Sequence, residues 1–535
     1  MKTMINSIIL ASCLALPLAS CSDSDAAPEQ KDWSTTTYFN SSDAAAQDTY
    51  YKPAVGYVGD PMPFFDPVAG DFKVLYLQDF RPNPEGTYHP IWGVSTKDAA
   101  HYTALGELVS CGTLKSQDAA IGTGSTIYDE ASKLYYTFYT GNKYKPTGDE
   151  SAQAVMVATS ADFKTWTKDR TFLIKGQDFG YDKNDFRDPF VFKGDDGKFH
   201  MLISTKKGGK GSLAEFVSDD LKNWTDNGVF MTMMWDRFYE CPDLFKMGDY
   251  WYLVYSELHH AVRRVQYFKG RTLDELKACT ANDAARWPDA HEGFLDSRGL
   301  YAGKTASDGT NRYLWGWCPT RSGKDNTAVG ASPAEPEWAG NLVCYKLIQH
   351  EDGTLTLGQV DAVSEKYNQD VAVEVKESLN MTEADGTYTL AGNVEQPDAY
   401  MLMGRLGSHN KISFTVTTSN KWDKFGISMV RGSDSKKYYT MVVNPEDENN
   451  RKVNFEEQGV EGKGFIAGID GYVFARPADN VYNVTIYTDN SICVMYINDV
   501  CSYTNRIYGI QKNCWSINSY NGANVKISNL KISQY

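Results

Sequence analysis

The feature that most constrains the fold is a short pattern that recurs roughly every 60 residues, a period typical of repeat architectures. Each copy has a hydroxyl residue, any residue and Asp, with an aromatic residue four positions further on. The copies are Thr96-Lys97-Asp98 with Tyr102, Ser160-Ala161-Asp162 with Trp166, and Ser218-Asp219-Asp220 with Trp224. Each copy follows a strand-like run of aromatic and β-branched residues, at 72–77, 134–139 and 199–204. A β-sandwich with recurrent turns is the alternative, but three matching copies favour propeller blades.

The rest of the chain is also typical of an all-β protein. Helical periodicity is nearly absent, apart from one predicted turn at 274–277, and short strand-like runs alternate with Gly, Asp and Asn. Residues 51–360 have room for five blades, and alternating runs after residue 374 indicate a β-sandwich. We therefore predict a five-bladed β-propeller at 51–360, a polar connector at 361–374 and a β-sandwich at 375–535.

The first residues are typical of an export signal. Lys2 is followed by an apolar run to Leu18, and Leu18-Ala19-Ser20-Cys21 resembles a bacterial lipobox. This pattern predicts a signal peptide at 1–20, lipidation of Cys21 and a flexible tether at 21–50, with an ordinary cleaved signal as the alternative. We expect a soluble protein tethered by its lipid to the bacterial outer membrane, at the cell surface or facing the periplasm.

Charge and cysteine spacing exclude several other classes of function. A formal net charge of −15 argues against a nucleic-acid partner, because phosphate binding needs clustered Lys and Arg. The cysteines after Cys21 form no CxxC pair, so we expect free buried thiols and no zinc site. No nucleotide-binding loop or haem motif is present, and the sequence indicates neither a metal nor a cofactor.

Three acidic residues stand at the predicted starts of different blades. They lie in the runs Gly59-Asp60-Pro61, Phe186-Arg187-Asp188-Pro189 and Tyr239-Glu240-Cys241-Pro242. Because the first strand of every blade lines the central channel, these acids are expected to converge there. Cleavage of a glycosidic bond needs one carboxyl group as proton donor and an ionised one as nucleophile or base. Arg187 is expected to hold Asp188 ionised, which favours a substrate clamp over an acid catalyst.

These motifs resemble glycoside hydrolase family 32, the invertases, inulinases and levanases, from about Val58 to the C-terminus. The resemblance implies a five-bladed propeller followed by a β-sandwich. It implies Asp60 as nucleophile, Asp188 as transition-state stabiliser and Glu240 as acid/base, with retention through a fructosyl-enzyme intermediate. The implied partner is an oligosaccharide or polysaccharide, and the chain is expected to meet a membrane only through its lipid.

Further segments are similar to those of the family and imply contacts with the sugar. The residues so implied are Gln78, Trp92, Thr123, Ser125, Arg187 and Trp338. The run Tyr57-Val58-Gly59-Asp60-Pro61-Met62 departs from the family's usual Trp-Met-Asn-Asp-Pro-Asn, and two of its departures bear on the sugar site. Gly59 stands where the family has a sugar-contacting Asn, and Met62 replaces the polar residue after the proline.

The leading interpretation is a retaining β-fructofuranosidase acting on fructan or sucrose-type substrates. An inverting propeller glycosidase of the arabinanase or xylosidase type is the first alternative. A fructosyltransferase with the same three carboxylates is the second alternative. A non-catalytic glycan-binding lipoprotein is the third, and the presence of all three acids argues against it.

Overall fold

The computed structural model describes residues 49–80, 89–233, 238–257, 264–279, 293–321, 336–430, 438–445, 453–458, 474 and 476–535. Five antiparallel meanders form its first part. Blade 1 has β1 (Tyr57–Asp66), β2 (Asp71–Asp79), β3 (Ile91–Thr96) and β4 (Thr103–Val109). Blade 2 has β5 (Ala120–Asp129), β6 (Leu134–Asn142), β7 (Gln153–Ser160) and β8 (Thr167–Ile174). A 3₁₀ helix, Gly176–Phe179, follows it.

The remaining blades continue the same arrangement. Blade 3 has β9 (Phe186–Lys193), β10 (Phe199–Lys207), β11 (Lys210–Ser218) and β12 (Thr225–Thr232). Blade 4 has β13 (Tyr239–Met247), β14 (Tyr250–Glu257) and β15 (Arg264–Gly270), followed by helix α1 (Leu273–Ala278), where the sequence predicted a helical turn. Blade 5 has β16 (Tyr301–Ser307), β17 (Arg312–Arg321), β18 (Pro336–Gln349) and β19 (Leu355–Gly358).

The five blades close into a ring. The first strands of the blades, β1, β5, β9, β13 and β16, contact one another in that order, and β16 contacts β1 again. Strand β18 also pairs with β1 at Val58 and Gly340, which joins the last blade to the first. The predicted five-bladed propeller is confirmed.

The repeated pattern of the sequence forms the turn that ends the third strand of three blades. The hydroxyl group of Thr96, Ser160 or Ser218 donates to the Asp two residues later and accepts that residue's backbone N–H. The residue after each Asp adopts a left-handed φ of 59° to 62°. Local side-chain hydrogen bonds of this kind specify a tight turn.

A bulge interrupts the register of the first strand in every blade. The irregularities fall at Val58/Pro61, at Gly122/Gly124, opposite Leu202/Ser204, at Glu240/Asp243 and at Tyr301/Lys304. Non-glycine residues with left-handed φ occur at three of them: Asp188, Cys241 and Ala302. Because a bulge redirects side chains, residues at the same level of all five inner strands turn into one channel.

The second part is a β-sandwich of two antiparallel sheets. One sheet contains β20 (Gln369–Val371), β22 (Met381–Ala384), β23 (Thr387–Ala391), β25 (His409–Thr418), β29 (Val481–Asp489), β30 (Ile492–Ile497), β31 (Cys501–Arg506) and β33 (Asn524–Gln534). The other contains β21 (Val375–Leu379), β24 (Ala399–Arg405), β26 (Phe425–Val430), β27 (Tyr438–Val443), β28 (Val453–Gln458) and β32 (Cys514–Ser519). Apolar residues from both sheets form one buried core.

The predicted connector is more ordered than its polar composition indicated. It contains helix α2 (Asp361–Lys366), and β20 pairs with β33 as part of the sandwich. At the other boundary, Thr49 and Tyr50 were assigned to the flexible tether but are buried. Their backbone N–H groups both donate to Asp489 of the sandwich, at 2.9 Å, which fixes the chain where it enters the propeller.

The eight cysteines from Cys111 to Cys514 are free thiols, and seven of them are buried, as the sequence predicted. The two α-helices in the described ranges, α1 and α2, have six residues each, and no helix there is long and apolar enough to cross a membrane. The predicted signal peptide, Cys21 and nearly all of the tether lie outside the described residues.

Candidate active site

Asp60 lies in the bulge of β1 and accepts hydrogen bonds on both carboxylate oxygens. The Thr123 hydroxyl donates to Oδ2 at 2.6 Å, and the Trp317 indole N–H donates to Oδ1 at 2.9 Å. These donors come from blades 2 and 5, on either side of blade 1. An ionised carboxylate is an acceptor only, so this arrangement suits a charged Asp60 whose direction is fixed.

Glu240 lies at the bulge of β13 in blade 4. Arg187 Nη2 donates to its Oε1 at 2.9 Å, and the Tyr301 hydroxyl makes a short hydrogen bond with Oε2. The Glu240 side chain keeps 15% of its surface exposed, so the channel reaches it. The two hydrogen bonds, one to each carboxyl oxygen, fix the position of this side chain.

Asp188 is the most deeply buried of the three acids, with 4% exposure. The Cys241 backbone N–H donates to Oδ2 at 2.9 Å, so the left-handed bulge of blade 4 directly holds the acid of blade 3. The pKa of Asp188 is raised to about 7, chiefly by burial; the Glu240 and Asp60 charges add to this rise, and the Arg187 charge and the Cys241 N–H oppose it.

This result corrects the expectation that Arg187 holds Asp188 ionised. The guanidinium of Arg187 points instead at Asp185, at 2.7 Å, and at Glu240. It also stacks over Phe238, 3.9 Å from the ring centroid. Its charge lowers the pKa of Asp188, but desolvation in the channel is the larger effect.

The contacts of Asp60 and Glu240 converge on one pair of aromatic residues. Tyr301 and Trp317 are register partners on β16 and β17, and their ring centroids are 5.4 Å apart. Trp317 donates to Asp60 and Tyr301 contacts Glu240, so blade 5 sets the relative position of both carboxyl groups.

Comparison with known proteins assigns the whole arrangement to a family. The model "Glycosyl hydrolases family 32 N-terminal domain" matches residues 50–360, and "GH32, BT1760-like, C-terminal domain" matches residues 353–532. The chain belongs to glycoside hydrolase family 32. The boundary between the two matches lies at the end of blade 5.

The relatives of this family 32 chain are distant. It is 26% identical to "Beta-fructofuranosidase, insoluble isoenzyme CWINV2" of Arabidopsis thaliana over 54% of this chain and 51% of that one. It is 25% identical to "Sucrose-6-phosphate hydrolase" of Staphylococcus xylosus, over 61% of this chain and 65% of the relative. The matches thus span about half to two thirds of these relatives.

Among solved structures, the fold is similar to that of sucrose-6-phosphate hydrolase from Lactobacillus gasseri. The TM-score is 0.67 at 18% identity, and the match covers 92% of this chain and 93% of that one. At this identity the likeness concerns the fold, a propeller followed by a sandwich.

Two of the predicted sugar-binding residues of the family 32 chain make contacts within the protein. Thr123 is buried and its hydroxyl orients Asp60. Ser125 donates to the Pro189 carbonyl at 2.9 Å and accepts from the Val191 N–H at 2.8 Å, which links blade 2 to blade 3. Both hydroxyls therefore position the strands that carry Asp60 and Asp188.

Gln78 and Trp92 belong to the second and third strands of blade 1. Gln78 is fully buried on β2, where its amide donates to the Val55 carbonyl at 2.5 Å and its Oε1 is buried without a hydrogen-bond partner. Trp92 lies on β3 and packs edge-on against Phe80, with ring centroids 5.8 Å apart. Neither makes a hydrogen bond to the three carboxylates within the described residues, so their sugar contact stays a prediction.

Trp338 lies against Gly59, the residue before Asp60, and is half-buried. Its ring is 4.8 Å from that of His89 and 6.3 Å from that of Trp317, which donates to Asp60. The structure thus brings this predicted residue close to the first strand of blade 1, although it is on β18, the third strand of blade 5.

The departure at Met62 has a packing reason. Met62 is buried between blades 1 and 2, and its sulfur accepts the Gly124 N–H at 3.1 Å. A Cβ atom at Gly124 would lie 1.8 Å from the Phe138 carbonyl oxygen, so only glycine allows this close approach. Met62 therefore joins two inner strands instead of facing the channel.

Sequence reasoning did not assign Trp317, Tyr301 or Lys304 to the site. Lys304 is buried beneath the acids, its ammonium donates to the Gly124 carbonyl at 2.7 Å, and burial lowers its pKa. All three belong to blade 5, and Tyr301 begins β16 at the position equivalent to the acids. This position at the start of a blade is the sequence feature that could have identified Tyr301 as a site residue. No group of three or more His, Cys, Asp or Glu in the described ranges is arranged to hold a metal ion.

Proposed function

We propose that the protein is a retaining β-fructofuranosidase that hydrolyses fructan or sucrose-type substrates. The observation that carries the proposal is the joint positioning of Asp60 and Glu240 by the aromatic pair Trp317 and Tyr301. Membership of family 32 supports the class of reaction, because relatives of the chain carry the names β-fructofuranosidase and sucrose-6-phosphate hydrolase.

In the first step, Asp60 attacks the anomeric carbon of the terminal fructosyl unit while Glu240 protonates the glycosidic oxygen. The carbon–oxygen bond to the leaving sugar breaks, and an ester bond to Asp60 forms. Hydrogen bonds from Thr123 and Trp317 aim the nucleophile before attack. Asp60 thus needs little reorganisation to reach the transition state.

In the second step, Glu240 accepts a proton from water, which attacks the same anomeric carbon. The ester to Asp60 breaks, fructose leaves with its original configuration, and both carboxyl groups return to their starting states. Arg187 and Tyr301 stabilise the ionised form of Glu240 between the steps, because both can donate to its oxygens.

Asp188 is proposed to bind ring hydroxyls of the same fructosyl unit. Its burial near Asp60 and Glu240 supports this role, since a hydrogen bond in a desolvated channel strengthens as charge develops on the sugar. With a pKa of about 7, the carboxyl group holds a proton at mildly acidic pH and can then both donate and accept.

The test is the release of sugars by purified mature protein from sucrose, levan, inulin and arabinan. We expect free fructose from at least one of the first three and a loss of about 10²-fold or more in Glu240→Gln, the usual contribution of general acid catalysis. Glu215→Gln is the matched control, because Glu215 is a buried blade-3 residue that bonds His200 and Asn227.

Other outcomes distinguish the alternatives. Arabinose release would indicate the inverting type of propeller glycosidase, and fructosyl oligomers growing at the expense of free fructose would indicate a transferase. Glycan binding without release, by a folded protein, would indicate a binding protein. Each of these results would overturn the hydrolytic fructosidase assignment.

We also propose that residues 1–20 are removed and that Cys21 carries a lipid at the outer membrane. The lipobox-like run and the polar stretch after it support this proposal. Incorporation of a labelled fatty acid and recovery in outer-membrane fractions are expected for the full chain and lost in Cys21→Ser. Labelling that persists in Cys21→Ser would contradict it.

A further inference from the structure

The indole of Trp338 occupies the space in which a side chain at position 59 would lie. A Cβ atom at Gly59 would be 2.4 Å from Trp338 Cη2 and 2.7 Å from Cζ2, with the Leu77 carbonyl oxygen 3.0 Å away on another side. Real Cβ atoms do not approach other atoms this closely. Any residue larger than glycine therefore requires the Trp338 ring to move.

The ring has little room to move. It is packed near His89 and Trp317. The backbone that carries it is fixed by a left-handed Ala339 (φ 67°) and by the pairing of Gly340 with Val58. Gly340 in turn excludes a Cβ atom, which would lie 1.8 Å from the Cys318 carbonyl oxygen. Closure of the propeller therefore places Trp338 against Gly59.

We propose that Gly59 is a specificity-determining residue, because it admits the Trp338 indole as an apolar wall beside Asp60. This inference rests on the proposed function. A side chain at position 59 and the ring of Trp338 exclude each other, so the site presents an aromatic surface at this place instead of a hydrogen-bonding group. The substrate class that fits is a sugar that turns its C–H face, rather than hydroxyls, to this side of the site.

The partial exposure of Trp338 determines how its indole can contact a substrate. Trp338 is half-buried, so part of this residue remains exposed next to Gly59 and the nucleophile strand β1. Apolar and aromatic side chains line most small-molecule sites and exclude water around the few polar groups that orient the ligand. An indole beside the nucleophile thus desolvates Asp60 on one side and packs against the sugar.

The test is a double-mutant cycle of Gly59→Ala and Trp338→Ala, with kcat and KM measured on the best substrate. We expect Gly59→Ala alone to lower kcat/KM by about 10-fold or more, because it displaces the ring. We expect Trp338→Ala to act mainly by raising KM. In the Trp338→Ala background, Gly59→Ala should change kcat/KM by less than about 2-fold. Gly404→Ala is the control, since the nearest atom to a Cβ there is the flexible Glu374 carboxylate, at 3.3 Å, and the other neighbours are at ordinary contact distance.

A second readout does not depend on activity. With 5-fluorotryptophan incorporated, the ¹⁹F resonance that is absent in Trp338→Phe should shift in Gly59→Ala and stay in place in Gly404→Ala. This shift is expected even if the protein acts on another sugar, so failure of the proposed function and failure of this inference can be distinguished.

Three results would overturn the inference. The first is a Gly59→Ala effect of equal size with and without the Trp338 ring, which would place its cause in the strand backbone. The second is an unshifted ¹⁹F resonance in Gly59→Ala. The third is an unchanged KM in Trp338→Ala, which would show that the ring is not a wall of the sugar site.

Discussion

Asp188 lies deeper in the channel than Glu240, and this difference in burial separates their chemistry. Asp188 is 4% exposed, whereas the Glu240 side chain is 15% exposed and contacts a guanidinium and a phenol. Desolvation disfavours the charged form of a carboxyl group, and it is the largest cause of the raised pKa of Asp188. Asp188 and Glu240 thus differ in burial and in hydrogen-bond partners, although they belong to one site.

Asp188→Asn is expected to raise stability increasingly as the pH rises. In the unfolded chain this carboxyl ionises near pH 3.9, as model peptides do, while the folded pKa is about 7. Between these two pKa values the folded state holds a proton that the unfolded state has lost. The free energy of unfolding of the wild type therefore falls as the pH rises, and this loss is complete above pH 7. Replacing the carboxyl group should therefore raise the free energy of unfolding by on the order of 2–4 kcal/mol at pH 8 and change it little at pH 4.

Urea unfolding at pH 4, 5.5 and 8 measures this difference, with the exposed turn variant Asp385→Asn as control. A stability difference between Asp188→Asn and wild type that is the same at all three pH values would contradict the raised pKa. The amide can still accept the Cys241 N–H, so the variant is expected to fold.

The residues that could be predicted from the sequence are those whose signal is local. Asp60, Asp188 and Glu240 each stand in a short run at a blade start, and the bulges turn all three into the channel. Trp317 could not be assigned, because its bond to Asp60 exists only after blade 5 meets blade 1. The direction of Arg187 was mispredicted for a related reason: its preferred partners lie at position 185 and in the next blade.

At the level of elements, the repeated turn determines where the third strand of a blade ends. In blade 3 the Ser218 hydroxyl accepts the N–H groups of Asp220 and Leu221, at 3.2 and 2.9 Å, and donates to the Asp220 carboxylate at 3.1 Å. Leu221 has a left-handed φ of 62° and is buried. These bonds stabilise a backbone conformation that a leucine rarely adopts.

Ser218→Ala is expected to destabilise the protein by about 1–2 kcal/mol, because it leaves two N–H groups of the turn without their acceptor. The midpoint of thermal or urea unfolding measures the change. Ser408→Ala, at an exposed position, is the control and should have little effect. A Ser218→Ala protein as stable as wild type would show that packing of the buried Leu221 and the partly buried Trp224 is enough to fix the turn.

The turns were predictable because their hydrogen bonds join residues two or three positions apart. The ordered part of the connector was not predictable, because β20 is a short polar strand that exists only by pairing with β33, about 160 residues later. The burial of Thr49 and Tyr50 depends in the same way on Asp489.

At the scale of the whole molecule, the sandwich is attached to the propeller by a buried polar network. Arg506 is 2% exposed and donates to the carbonyls of Cys318 and Pro319 and to the side chains of Asn341 and Ser491. Cys318 follows Trp317, the donor to Asp60, so the network supports the strand that positions the nucleophile.

Arg506→Met is expected to lower the free energy of unfolding by about 2–4 kcal/mol, since it leaves buried acceptors unpaired. Calorimetry should show a lower Tm and separation of the propeller and sandwich transitions. Lys526→Met, at an exposed position of β33, is the matched control. A single transition at the wild-type temperature would contradict a coupling role for Arg506.

The central claim is that Asp60 and Glu240 act by double displacement on a fructosyl unit. The most direct measurement is hydrolysis of the best substrate in the presence of methanol, with the methyl glycoside identified by NMR. Because attack on the fructosyl-Asp60 ester comes from the face that the leaving sugar vacated, the account predicts methyl β-fructofuranoside. Methyl α-fructofuranoside from wild-type protein would contradict the account, because it requires a single displacement.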